Sequence, residues 1–471
     1  MASTAIQVQT SSNVFVKALQ WGGWRWDDGA TPGTNITYSF GPDDVFLNSS
    51  LGMSTAWQRY QMDAYERALQ SWANVANITF TEVASFDDAN FVEFVFHNNL
   101  TSILGIHETP DPVFLSDGIA AGAYNTAGPG WTVSGLQEGG FAFSIIVHEL
   151  GHALGLSHPH DTGGGSTRFP GVAPNTPSDL GDNNLNQGIF TVMSYNDGWT
   201  GLGSSSSANY GWSAGPMAFD IAAIQALYGA NDSHRTGNDT YVLRHTNGDE
   251  DALVAIWDAG GTDAIVYGGK FSAAIDLRAA TLENAPGGGG FVSYAPGAPS
   301  THLDHWNAFT IANGVVIENA KGGAGADWIS GNGADNTLKG AGGNDKLIGR
   351  GGDDALVGGP GGDKLSGGGG EDVFVFTSLS HSRPNKRDHI GNFGRGEDQI
   401  DLESIDAKTG MPGNKAFKWI GKQDFNDKKG ELRYEDLGKK VLVEGDVNGD
   451  GKADFAILVN VGKIGGGDFI L

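Results

Sequence analysis

The chain is 471 residues long, more than one ordinary core accommodates, so two domains or a domain with a long appendage are expected. Its 29 basic against 55 acidic residues give a formal charge of −26, which excludes nucleic-acid and anionic-membrane partners, since both need a basic face. The absence of cysteine excludes disulfides, thiolate metal sites and cysteine nucleophiles, so any metal must sit on His, Asp, Glu or carbonyl oxygen.

The opening stretch MASTAIQVQTSSNVFVKALQW lacks the basic start and apolar run of a secretory signal. No segment approaches the roughly 20 apolar residues of a membrane span. Taken alone this reads as cytosolic, unless an export signal lies elsewhere in the chain. The run ITYSF reads as a strand. Residues 54–76 place Trp57, Tyr60, Ala64, Ala68, Leu69 and Trp72 near a helical period, with Ser54 as the N-cap. NITFTEV and NFVEFVFHNN follow as strands, so an α/β layer is expected. FAFSIIVHELGHALGL, from Gly140, reads as a buried helix of about three turns that ends at Gly155. MAFDIAAIQALYGAN, residues 217–231, is a second helix, and a domain boundary is placed in the polar run DSHRTGND after it.

Beyond that boundary ALVAIWDAGG and DAIVYGG alternate as strands, and residues 322–375 fall into six consecutive nine-residue units without a slip. Their sixth positions are Asp327, Asn336, Asp345, Asp354, Asp363 and Asp372; their eighth are Ile329, Leu338, Leu347, Leu356, Leu365 and Phe374. A flexible Gly/Asp linker would not place an apolar residue at every ninth position.

The segment HELGHALGLSH, residues 148–158, carries the chemistry. On a helix His148 and His152 are one turn apart, so both imidazoles project from one face and can share an ion. Gly155 permits a turn that brings His158 round as a third nitrogen ligand, leaving a fourth position open, the mark of a catalytic rather than a structural zinc. Glu149 stands beside the ligands, placed to take a proton from water. His160 reads as a solvent-facing or supporting residue, with ligation a third reading; the histidines at 97, 107, 234, 245, 302, 305, 381 and 389 are scattered singly.

This motif, with Met193 in TVMSYND as the methionine of a tight turn beneath the zinc, resembles the metzincin clan. HELGHALGLSHP, MSY and the glycine-rich repeat together look like the serralysin family of secreted bacterial metalloproteases, over nearly the whole chain. Pro159 stands where astacins carry Glu, and the cysteine of matrix-metalloprotease latency is missing. The resemblance implies an α+β metzincin-type catalytic domain followed by an all-β parallel β-roll. The expected division is 1–20, a propeptide or N-terminal arm; 21–233, the catalytic domain; 234–375, the roll; and 376–471, a β-rich region ending in a secretion signal. It implies one catalytic Zn²⁺ and several structural Ca²⁺, and it gives Tyr195 the part of steadying the oxyanion, where the residues alone leave a rim or core tyrosine open.

GGxGxDxUx is the nonapeptide of a parallel β-roll, whose glycines let carbonyls converge while the Asp adds a carboxylate. Gly322, Gly331, Gly340, Gly349 and Gly358 join the six Asp/Asn residues as expected calcium ligands. Units alternate sides, so Asp327, Asp345 and Asp363 should line one face and Asn336, Asp354 and Asp372 the other. By resemblance, RTGND, WDAGGTD and VIENAKGG add Arg235, Gly237, Asp239, Asp258, Gly260, Asp263 and Glu318. DVNGDGKAD starts like an EF-hand at Asp446, Asn448 and Asp450, but Ile457 fills the place of the closing Glu, which leaves a calcium turn and a plain hairpin both open.

The family also implies export by type I machinery through an uncleaved carboxyl-terminal signal, matched by Asp468-Phe469-Ile470-Leu471, which overturns the cytosolic reading. The expected protein is a secreted monomeric endopeptidase that cuts extended protein substrates, has a proteinaceous inhibitor as a further partner, and makes no stable membrane association. Substrate should pair with an edge strand near AAGAYNT, residues 120–126. The rival readings are a calcium-dependent adhesin carrying an inactive protease-like domain, against which the intact Glu149 and histidines argue, and a zinc hydrolase of small esters.

Overall fold

The structure is a computed structural model and describes residues 3–29, 33–201, 203–244, 251–295 and 307–471. The histidines at 245, 302 and 305 lie outside the described residues. The first half packs four α-helices on a mostly parallel sheet. Helix α1 is Val14–Leu19, α2 Arg59–Val75, α3 Phe141–Ala153 and α4 Ala218–Tyr228.

The centre of the sheet is Phe91–Phe96, which runs parallel to Thr34–Phe40 on one side and to Ala120–Asn125 on the other. Ile78–Glu82 lies parallel outside Thr34–Phe40, and Gly52–Thr55 pairs antiparallel with the end of the central strand. Ala120–Asn125 is therefore not an edge. Its outer side is covered by the antiparallel strand Gly105–His107, which, among the described residues, is the free edge on this side of the sheet. The expectation that substrate pairs at 120–126 is thus corrected: the open ladder lies one strand further out.

Helix α2 also begins later than expected. Ser54 is in a strand, where its hydroxyl donates to the Pro42 carbonyl at 2.8 Å and accepts the Val45 amide at 2.9 Å. The N-cap is Gln58, whose amide donates to the Gln61 side chain at 2.9 Å, the reach-back arm of a capping box. Its inner face, Ala64, Tyr65, Ala68, Leu69 and Trp72, is buried, and the Trp72 indole donates to the Val147 carbonyl of α3 at 3.2 Å.

Residues 3–20 are built into this half. Thr4–Gln7 pairs with Trp24–Asp27, and the Asn13 side chain caps α1 by accepting from the Phe15 and Val16 amides. Phe15 is fully buried, stacked on Phe219 of α4 at 4.7 Å and edge-on to Phe169 at 5.0 Å.

From Thr240 the chain enters two sheets, of eight and twelve strands among the described residues. Trp328–Ser330, Lys346–Gly351 and Lys364–Gly369 are parallel neighbours in one, and Thr337–Lys339, Ala355–Val357 and Val373–Val375 in the other. Successive nine-residue units therefore alternate sides, and the apolar residue of each, from Ile329 to Phe374, is at most 1% exposed. The terminal segment Phe469–Ile470 closes the eight-stranded sheet beside Gln399–Asp401. The halves meet at a backbone seam, where the Leu253 amide donates to the Trp212 carbonyl and the Ala214 amide to the Leu253 carbonyl, both at 3.0 Å.

Candidate active site and metal centre

Helix α3 is apolar on nearly every side because it is buried nearly all round, and its last two turns carry His148, Glu149 and His152, all at least nine-tenths buried. The helix stops at Gly155, whose φ of +102° a side-chain-bearing residue rarely adopts. A Cβ there would also sit 2.2 Å from the Trp24 carbonyl. The reversal brings His158 back so that its Nε2 lies 3.2 Å from His148 Nε2 and 3.0 Å from His152 Nε2.

The other ring nitrogens explain the convergence. Nδ1 of His148 faces the Val192 carbonyl at 2.7 Å, that of His152 the Leu156 carbonyl at 2.9 Å, and that of His158 an Asp161 carboxylate oxygen at 2.7 Å. All three partners accept, so each Nδ1 carries the proton and each Nε2 turns a lone pair to a common point. Burial lowers His148 and His152 to about 3 and His158 to about 4, which keeps them neutral as ligation requires. Three imidazoles with supported outer nitrogens and a shared focus fit one zinc ion.

Met193 is fully buried under α3, its sulfur within 2.5 Å of where a Cβ on Gly151 would lie. The methionine turn is held by Asp220 of α4, which accepts from the Thr191 hydroxyl at 2.5 Å, the Val192 amide at 2.6 Å and the Met217 amide at 2.8 Å. Because Val192 also orients His148, Asp220→Ala should strand three buried donors and cost on the order of 3 kcal/mol. Thermal melting would read this as a lower midpoint, with zinc affinity falling in parallel.

Glu149 lies against the edge strand, its Oε1 2.9 Å from a Cβ built on Gly105. Burial pushes its carboxyl up to about 8, while the charge and backbone amide of His107 pull the other way. Tyr195 is half exposed, its ring 4.8 Å from that of His158 and 5.8 Å from that of His148, and His160 stacks on His158 at 4.9 Å. Between the edge strand and the methionine turn opens a cleft of about 490 Å³ whose walls include Leu104, Ile145, Val192, Trp212 and Leu253, with Asp197 also lining it.

The chain matches the Matrixin family model over residues 34–164 and the model of the peptidase M10 serralysin C-terminal domain over 305–471. It is 35% identical to a serralysin of Photorhabdus luminescens over 445 residues, which cover 90% of this chain and 82% of the relative. The chain belongs to the serralysin family. A serralysin of Proteus mirabilis is 36% identical over 79% of this chain and 75% of its own, and the metalloprotease AprA of Pseudomonas entomophila (strain L48) 35% over 82% and 75%. A solved structure, the AlgE6R3 subunit of the Azotobacter vinelandii mannuronan C5-epimerase, matches 34% of this chain and 81% of its own at 21% identity, with a TM-score of 0.23. Like its serralysin relatives this protein is a metalloendopeptidase, with a matrixin-type catalytic domain and a serralysin C-terminal domain, and membership implies a catalytic zinc.

The serralysin C-terminal half holds two files of acidic residues. The Asp327 amide donates to Asp345 Oδ1, that of Asp345 to Asp363 Oδ1, and that of Asp363 to Asp388 Oδ1, each at 2.8 Å. On the other side Asn336 donates to Asp354 at 2.8 Å, Asp354 to Asp372 and Asp372 to Asp398, both at 3.1 Å. The second oxygens of Asp345, Asp354, Asp363, Asp372 and Asp388 are buried with no hydrogen-bond partner. Burial raises Asp345 and Asp354 to about 7, Asp363 to about 6 and Asp388 to about 8. A Cβ on Gly322, Gly340 or Gly349 would lie 2.0–2.3 Å from the carboxylate oxygen of its own unit and 2.6–2.7 Å from the carbonyl of the glycine eighteen residues on. Gly331 faces Asn336 and the Gly349 carbonyl in the same way, and Gly358 faces the Asp363 carboxylate. Buried, unpaired oxygens converging with carbonyls across a glycine-wide gap fit a hard divalent cation.

Asp388 and Asp398 extend both files and were not anticipated. Carboxylates of Asp239, Asp258 and Asp263 also come within 4.8 Å of one another. Glu318 accepts the Asp263 amide at 2.8 Å, Gly260 donates to Asp258 at 3.0 Å, the Gly237 carbonyl faces Gly261, and Arg235 pairs with Asp239 at 3.1 Å. In the 446–454 turn both oxygens of Asp446 accept amides of their own loop, from Asn448 and Gly449 and from Gly451, while Asp450 donates its amide to Asn448.

Proposed function

We propose that His148, His152 and His158 hold the zinc of a secreted endopeptidase, that Glu149 is its general base, and that calcium bound in the downstream files stabilises the fold. The observation that carries the first part is the meeting of three Nε2 atoms whose Nδ1 partners are all acceptors. Zinc, when bound, supplies charge that polarises the scissile carbonyl and lowers the pKa of water to about 7. The chain does the rest. An extended substrate adds a strand to Gly105–His107 and its side chain enters the neighbouring apolar cleft. Glu149 takes the proton of the attacking water and passes it to the leaving amine, and the Tyr195 hydroxyl donates to the oxygen that becomes negative. Met193 packs beneath and ligates nothing.

1,10-Phenanthroline should abolish casein hydrolysis and added Zn²⁺ restore it; hydrolysis that survives with the metal gone would refute the reading. An esterase of small substrates would instead keep its ester turnover ahead of its proteolysis.

In the second part, calcium lies between neighbours of each file, on Asp345, Asp363 and Asp388 and on Asp354, Asp372 and Asp398, with the upstream set Asp239, Asp258, Asp263 and Glu318 beside them. The repeats are then an RTX roll within 234–375, following a catalytic domain of 21–233. Secretion by a type I route through the 468–471 end accords with this, because calcium outside the cell would order carboxylates that repel one another within it.

A further inference from the structure

Directly behind Glu149 lies a second charged pair that the reaction as derived does not use. Glu93 on the central strand and His107 on the edge strand both register with Gly122 of the strand between them. Their side chains reach each other across that glycine. His107 Nε2 lies 2.9 Å from Glu93 Oε1, and both side chains are wholly buried. A Cβ on Gly122 would sit 2.1 Å from the other Glu93 oxygen and 2.6 Å from the imidazole. The Tyr65 hydroxyl of α2 donates to Glu93 Oε1, the oxygen that faces His107, at 2.8 Å.

The protons are fixed by the partners. His107 Nδ1 faces the Glu108 carbonyl at 2.7 Å, which can only accept, so Nδ1 carries a hydrogen and one further proton is shared between Nε2 and Glu93. Burial pulls the ring's pKa down, but the charge and hydrogen bond of Glu93 outweigh it and the net shift is upward. A buried carboxylate with a buried imidazolium is costly to assemble and more costly to halve. It sits where its geometry bears on the reaction: the His107 amide faces the Glu149 carboxylate, and Gly105, two residues back, packs against it.

We infer that Glu93 and His107 are positioning residues, a cross-strand ion pair that fixes the edge strand against Glu149 and so sets where the base points. The inference rests on Glu149 being that base. It explains why a lone glycine interrupts AAGAYN: any side chain at 122 would part the pair.

The test compares Glu93→Gln, His107→Gln and the double variant in the full chain, with kcat and KM on a fluorogenic peptide, bound zinc by metal analysis, and melting by circular dichroism. His107→Gln leaves the buried Glu93 carboxylate without its imidazolium and Glu93→Gln leaves the buried imidazole without its carboxylate, so in both kcat should fall about 10- to 100-fold with KM changed much less and zinc retained. The double variant keeps a neutral hydrogen bond across Gly122 and should recover most of the loss. Tyr65→Phe, which removes only one donor to Glu93, should lower kcat in the same sense and covers the case in which the singles do not fold. Single variants with the kcat of the parent, a loss that the double does not recover, or an unchanged Tyr65→Phe where the singles are unfolded would each overturn it. Glu149→Gln separates the two levels: an active Glu149→Gln refutes the base itself, whereas an inactive one beside fully active pair variants refutes only the positioning.

Discussion

Glu149→Gln lowers kcat by about 10²- to 10⁴-fold while leaving zinc bound, the loss expected when a positioned proton acceptor is removed. The substitution keeps the shape and polarity of the side chain, so the Gly105 contact and the helix should persist. The three histidines, each oriented by a carbonyl or carboxylate away from Glu149, are untouched. Peptide kinetics alongside metal analysis check it. Activity within a few-fold of the parent would remove Glu149 from the mechanism, and activity lost together with zinc would make it a structural residue.

Chelating calcium should melt the downstream half. Five buried carboxylate oxygens, on Asp345, Asp354, Asp363, Asp372 and Asp388, have no hydrogen-bond partner, and without a cation their charges face one another across each file. Circular dichroism in EGTA should lose much of its β signal and regain it at millimolar calcium, while an unchanged spectrum would sink the proposal. The pH sign follows from the raised values. In the fold these carboxyls hold protons that the unfolded chain has lost above about pH 4, so folding takes up protons. Stability in EGTA should therefore be greatest at acid pH and fall as pH rises to about 8, the value of Asp388. Acid would partly replace calcium, and a chelated protein more stable at pH 8 than at pH 5 would contradict the assignment.

The zinc residues were legible because their geometry is local: an i, i+4 pair on a helix and a glycine turn need nothing from the rest of the chain. What supports them was not. Asp220 is one acid in an apolar helix, and its value comes from the methionine turn it meets 27 residues upstream of it in sequence at Met193. Glu93 and His107 are fourteen residues apart and become a pair only through the register of three strands, so His107 looked like an ordinary scattered histidine. The true edge strand, three residues long, is too short to show alternation, and the better-patterned strand beside it drew the assignment. Ser54 is a good cap by type, but it lies in a strand and the loop of Pro42 and Val45 claims its hydroxyl.

The repeat shows the same limit at its end. Six units were plain because the period is strict, whereas Asp388 and Asp398 follow insertions that break it. The pattern Asp-x-Ile survives at Asp388-His389-Ile390 and Asp398-Gln399-Ile400, and that signal could have found both.

The sixth-position amide-to-carboxylate contacts of the two files all point one way. The sixth-position amide of each unit donates forward, to a carboxylate eighteen or more residues closer to the carboxyl terminus, whereas the fifth-position amides of Asp353 and Glu371 donate back, to Asp335 and Asp353. The sixth-position contacts thus have a polarity like that of a zip: each of these amides is satisfied only when its successor is in place, and Asp388 and Asp398 are the stops. For these sixth-position amides, growth from the amino-terminal side would carry an unsatisfied donor at its tip at every stage, whereas growth from the carboxyl-terminal side adds each one to a finished acceptor. For these contacts the segments carrying Asp388 and Asp398, downstream of all six repeats, are by this geometry the first that the files need.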